Sequence, residues 1–190
     1  MHLLALTPGT GFDPKAWASV LHSGIDAFML RERGLEARAL LDAARWCRAE
    51  APEVALWVNG RLDVALAAGV GFHGPEHYPE VDPAWVPLSR PLHAEGQWEA
   101  RRGARQLLVS PIFETPGKGP AWGPDRLKAL LEGISPEGPR LLALGGVTPA
   151  NAGALRHPRL AGIAAIRPFW EGDPAAAVTA FRGAWEDAPR

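Results

Sequence analysis

The chain has 190 residues, 47% hydrophobic and 22% charged, with 20 basic against 21 acidic side chains and a formal net charge of -1. That length buries a real core and suits one domain, 1–190, while the charge balance argues against a general nucleic-acid or anionic-membrane binder, which needs an excess of Lys and Arg. One cysteine, Cys47, excludes an internal disulfide and argues against a cysteine-based zinc site.

The first apolar run, HLLALT from His2 to Thr7, reads as a strand. It is too short and lacks the basic flank for a signal peptide core, and no later run approaches the ~20 apolar residues of a membrane span, so the cytoplasm is the expected location. Asp13 then reads as an N-cap, with Pro14 opening a helix that Gly24 stops. AFMLRER is the second strand, and Leu35 to Glu50 is the clearest helix, with apolar residues at helical spacing. ALWVNG and RLDVALAAG give the third strand and helix. GVGFHG is a weak fourth strand followed by an irregular Pro-rich segment. VPLSRPLH, ending at His93, is the fifth strand, with AEGQWEARRG as its helix. LLVSPIF is the sixth, followed by the helix GPDRLKALLEGI. RLLALGG is the seventh, with a short helix that Thr148 caps and Pro149 begins. AGIAAIRPFW holds the eighth strand, and Asp173-Pro174 opens the last helix.

Eight strand–helix alternations imply a parallel sheet with right-handed crossovers, closed as a compact α/β (β/α)8 TIM barrel. An open doubly wound sheet would want a glycine-rich turn after the first strand, and Thr7-Pro8-Gly9-Thr10-Gly11 is a feeble version of one. In a barrel the active site lies where the strands end. Those ends carry Arg31 and Arg33, Asn59, His73, Arg90 and His93, Ser110, Glu114 and Lys118, Gly145 and Gly146, and Arg167. The set is rich in cations and donors. Gly145-Gly146 precedes a short helix at the usual phosphate position of such barrels, so a small phosphorylated ligand is expected. Arg31 and Arg33 alternate along a strand and face one way, which calls for an anion or for a carboxylate such as Glu114. His73 and His77 lack surrounding carboxylates and read as structural or solvated rather than as metal ligands.

FMLRER, VNGRLDVAL, SRPLH, SPIFET with the following GK, and LALGGVTPAN resemble, in that order, the thiamine phosphate synthase superfamily. The resemblance implies a TIM barrel that works on the phosphorylated thiazole half of thiamine. Its synthases join a thiazole phosphate to a pyrimidine pyrophosphate with Mg2+; its TenI-like members act, where active, as thiazole tautomerases, by proton transfer.

In the synthases the third strand ends Asn-Asp-Arg, and that Asp helps to hold the metal; here it ends Asn59-Gly60-Arg61. Of the second acidic site only Glu76 remains, in Gly74-Pro75-Glu76-His77, while the cations of the second strand are kept as Arg31 and Arg33. These departures favour the TenI branch, with no cofactor expected and Mg2+ only in the synthase reading. The tautomerase branch places a histidine where this chain has Pro111, so the resemblance leaves His93 as catalytic candidate, with Glu114 second. Arg31, Arg33, Asn59, Arg90, Lys118, Gly145, Gly146 and Arg167 are then the candidate substrate and phosphate contacts, with Arg167 either binding phosphate or filling the pocket. A thiamine phosphate synthase and a catalytically silent phosphate-ligand-binding or regulatory protein are the alternatives. A homo-oligomer is compatible with the surplus of Trp on outer helices.

Overall fold

The computed structural model describes residues 1–135 and 137–188, so residues 136, 189 and 190 of the expected domain lie outside the described residues. Eight parallel strands close into a barrel in chain order: β1 (His2–Leu6), β2 (Ala27–Leu30), β3 (Ala55–Asn59), β4 (Gly71–His73), β5 (Leu88–Leu92), β6 (Gln106–Val109), β7 (Arg140–Leu144) and β8 (Leu160–Ala165). β8 returns to β1, with Ile163 opposite Leu3 and Ala164 opposite Leu4. The helices are α1 (Pro14–Leu21), α2 (Ala37–Glu50), α3 (Leu62–Ala68), α4 (Trp98–Arg101), α5 (Gly123–Gly133), α6 (Pro149–Ala152), α7 (Arg167–Trp170) and α8 (Pro174–Glu186). None of the described helices is long and apolar enough to cross a membrane.

Local chemistry explains the ends of these elements. Asp13 Oδ1 accepts from the amides of Lys15 and Ala16 at 3.0 and 3.1 Å, which starts α1. Asp173 does the same for α8 through Ala175 at 3.0 Å. Gly69, in the left-handed region at φ 65°, ends α3. The strands are buried on both faces, which is why they read as continuous apolar runs rather than alternating ones. Inside the barrel, Leu4, Leu6, Ala27, Met29, Trp57, Leu108, Leu142 and Ala164 form a small core. Outside it, Leu3, Trp17, Phe28, Phe72, Leu107 and Phe181 belong to the larger core between strands and helices. Each such large side chain contributes about 1.5–3 kcal/mol by burial. Gly71 is required by close approach: a Cβ there would lie 2.4 Å from the Trp57 ring that fills the lumen.

Two elements differ from the sequence reading. β4 is only three residues long, and no helix lies between it and β5. β6 stops at Val109 rather than running to Phe113, because Pro111 has no amide to donate to a ladder. The chain beyond stays tied to the next strand, with Ile112 N donating to Leu144 O and Phe113 N to Gly145 O, both at 2.9 Å.

Candidate active site

Two adjoining cavities open among the C-terminal ends of the strands. One, of about 540 Å³, is lined by Arg31, Arg33, Asn59, His73, His93 and Lys118 with Glu76 and Ser110. The other, of about 520 Å³, is lined by Gly145, Gly146, Thr148, Ile166, Arg167 and Thr115. Leu144, at the end of β7, lines both.

The second cavity is built from backbone. Gly145 and Gly146 have φ 96° and 67°, a region that side chains with a Cβ rarely enter. There is also no room for a Cβ: at Gly145 it would lie 2.9 Å from Pro111 Cα, and at Gly146 2.7 Å from Phe113 Cβ. The Pro-Ile-Phe loop and the Gly-Gly loop therefore define one another by contact. Asn151 fixes the far side. Its Oδ1 accepts from Thr148 N at 2.8 Å and its Nδ2 donates to Gly146 O at 3.0 Å. Peptide groups facing a cavity in this way suit an anion, and the exposed Arg167 adds a cation at the rim.

The first cavity is built from long side chains. Arg31, just past the end of β2, keeps the lumen phase of Ala27 and Met29, and Arg33 reaches the same space from the turn that follows. Glu32 between them points away and is buried; its carboxylate accepts from Gly9 N at 3.1 Å and Gly11 N at 2.7 Å. The acid next to the two arginines is thus committed to holding the loop after β1. Burial, and next the like charge of Arg33, push the Arg31 guanidinium below its usual value. Lys118 faces the same space from a turn closed by Lys118 N and Thr115 O at 3.1 Å. Among the described residues, Arg31, Arg33 and Lys118 have no carboxylate partner.

His93 is held at the wall. Its Nδ1 lies 2.7 Å from Ser110 O, and since a carbonyl only accepts, Nδ1 carries the hydrogen. Nε2 carries no hydrogen in this tautomer and lies 3.6 Å from Glu76 Oε2. Gln97 Oε1 accepts from the His93 amide at 2.8 Å. Glu76 is itself tied: Oε1 accepts from Gln97 Nε2 and Arg101 Nη2, both at 2.8 Å, and Oε2 from Arg101 Nη1 at 3.1 Å. The bonds from Arg101 hold the Glu76 carboxyl below the usual carboxylate range. His73 is buried on the floor, with Nδ1 2.8 Å from Ser89 Oγ. Burial first, then Arg90, His93 and Arg101, push its pKa down to about 3, so it is neutral. Cys47 is buried far from this chemistry in the outer core, its thiol pushed up to about 12.

The fold thus brings Arg31, Arg33, Asn59, Lys118 and His93 around one space, and Gly145, Gly146 and Arg167 around its neighbour. Two expected contacts are corrected. Arg90 is in phase with the outward-facing Leu88 and Leu92 and is only 5% exposed. Its guanidinium packs where a Cβ on Gly74 would go and reaches Tyr78 O at 3.3 Å, away from both cavities. Glu114 is exposed and lines neither cavity, although Thr115 and Lys118 after it do. Glu76, Ser110 and His73 line the first cavity without being among the expected contacts, although the sequence placed them near the strand ends, and Asn151, which it did not single out, holds Gly146 and Thr148 in place; its signal was its place as a cap partner two residues after Thr148-Pro149.

Nor do the described residues fit a Mg2+ centre. No group of three His, Cys, Asp or Glu side chains could hold a metal among them. Asn59-Gly60 brings no carboxylate, and both Glu76 oxygens already accept from cations and an amide.

Residues 10–169 match the family described as Thiamine monophosphate synthase, TMP-TENI. A thiamine-phosphate synthase of Roseiflexus castenholzii is 33% identical over 175 residues, covering 86% of this chain and 77% of the relative. Another, of Methanoculleus marisnigri, is 35% identical over 174 residues, covering 84% of this chain and 81% of the relative. In fold, the chain matches a thiamine phosphate pyrophosphorylase from Pyrococcus furiosus with a TM-score of 0.85 at 20% identity, covering 100% of this chain and 97% of that one. These relatives carry the synthase name, and the match does not separate the TenI branch from it.

Proposed function

This chain belongs to the thiamine monophosphate synthase family, and on that premise we propose that it is an enzyme of thiamine biosynthesis that joins a thiazole phosphate to a pyrimidine pyrophosphate. One observation carries the reading: two anion-receptive cavities of similar size meet at Leu144. A condensation of two phosphorylated halves needs two anion pockets that share a wall, so that the reacting atoms meet between them. The thiazole phosphate belongs with Gly145, Gly146 and Arg167, and the pyrophosphate with Arg31, Arg33 and Lys118. The thiazole nitrogen donates its pair to the pyrimidine methylene carbon as the C–O bond breaks. The bonding pair leaves with pyrophosphate, whose growing charge the three cations meet. Asn59 supplies a neutral amide on the same wall. The test supplies both substrates and follows thiamine phosphate and released pyrophosphate; saturable binding of both without product would overturn the reading.

A second reading, thiazole tautomerase, is favoured by one feature, the clamped ring of His93 whose Nε2 serves as proton acceptor. In that case His93→Ala abolishes tautomerisation and leaves thiazole carboxylate phosphate bound, and unchanged turnover removes His93 from the reaction. Binding of the thiazole phosphate with turnover in neither assay would identify a silent binding protein.

A further inference from the structure

The family chemistry implies a divalent cation, and the residues of this chain do not fit one. We infer that the Arg31–Arg33–Lys118 wall is a metal-independent subsite for a pyrophosphate-like polyanion, which fixed side-chain charge holds without a bound cation. The inference rests on the proposed condensation only for naming pyrophosphate; the surplus of positive charge stands without it.

Three features carry it. The cavity has three cationic side chains without carboxylate partners among the described residues, and Glu32, the acid between two of them, is turned away to hold Gly9 N and Gly11 N. The half-buried Arg31 and the exposed Arg33 beside it repel one another, and an anion held by both relieves that repulsion. Glu76, the acid that lines the cavity, is answered by Arg101 and Gln97 and faces His93, so it neither cancels the positive wall nor offers free oxygens to a metal. Mg2+ prefers near-octahedral oxygen donors, commonly carboxylates with waters. Here the wall offers Asn59 alone as a neutral oxygen donor at the end of β3. Arg guanidinium groups, by contrast, match phosphate oxygens in pairs.

Calorimetry on the full chain with inorganic pyrophosphate tests this, once with Mg2+ present and once with a chelator. The expected result is the same affinity within about twofold in both. Arg33→Ala and Lys118→Ala, both at exposed positions, each weaken pyrophosphate by roughly tenfold while thermal unfolding confirms an intact fold. Glu76→Gln leaves the insensitivity to Mg2+ in place. Binding that appears only with Mg2+, or a Mg2+ response that Glu76→Gln removes, would overturn the inference. So would binding unchanged in both cation variants but lost in Gly146→Ala, which would put pyrophosphate in the other cavity. Failure to form thiamine phosphate while pyrophosphate binds without metal would count against the proposed reaction and not against this subsite.

Discussion

The two cavities on either side of Leu144 receive anions by different means. One uses peptide groups that two glycines and Asn151 hold in place; the other uses side chains that reach into open space from the segment after β2 and from the turn at Lys118. A site of the first kind has its geometry set by the fold and tolerates almost no added atom. A site of the second kind can lose one charge and keep its shape. The first therefore fixes where a ligand sits, and the second sets how much charge it can carry.

The largest expected effect breaks the first site. Gly146→Val puts a β-branched side chain on a left-handed backbone and against Phe113, so thiazole phosphate affinity falls by about a hundredfold or more, read by calorimetry, with a lower unfolding temperature. A ligand bound normally by this variant would show that the glycine cavity is not the phosphate site. Next, Arg31→Ala is expected to weaken pyrophosphate by roughly tenfold and thiazole phosphate far less. Equal losses for both ligands would mean that the cavities do not divide the work.

A smaller effect concerns pH. His73, under the cationic cavity, has its pKa pushed down to about 3 from an ordinary 6.5. Between those values the unfolded chain takes up a proton that the fold refuses. Stability from this group is complete above 6.5 and is lost progressively as pH falls toward 3. His73→Gln should flatten the fall of unfolding temperature over that window; an unchanged slope would mean that other groups govern it. The smallest effect is expected at Arg90→Met. Ligand affinities change by less than about twofold, because the side chain lies outside both cavities, while stability drops through lost packing against Gly74 and Tyr78. A large loss of pyrophosphate affinity there would return Arg90 to the site.

The contrast between Arg31 and Arg90 also marks how far the sequence could be read. Arg31 directly follows β2 and Arg90 lies within β5, and both strands are buried on either face, so no alternation distinguishes lumen from exterior. Arg31 shares the phase of Ala27 and Met29, which face inward, whereas Arg90 shares that of Leu88 and Leu92, which face outward, and only barrel closure decides which phase is which. Glu76 was legible as an acid after β4, but its capture by Arg101 joins residues 25 apart across a segment without regular periodicity. His93 was legible as a strand end, and its tautomer was not, because the Ser110 carbonyl comes from the neighbouring strand's loop.

By itself, the sequence determined the eight-fold alternation, the caps at Asp13 and Asp173, the Gly-Gly turn and the family motifs, since all of these are local patterns of a few residues. Only the tertiary structure decided that Arg31, Arg33 and Lys118 share one space, that Arg90 and Glu114 leave it, and that Glu76 belongs to Arg101. Charges find their partners through space, and the closed barrel brings together strand ends that lie far apart along the chain.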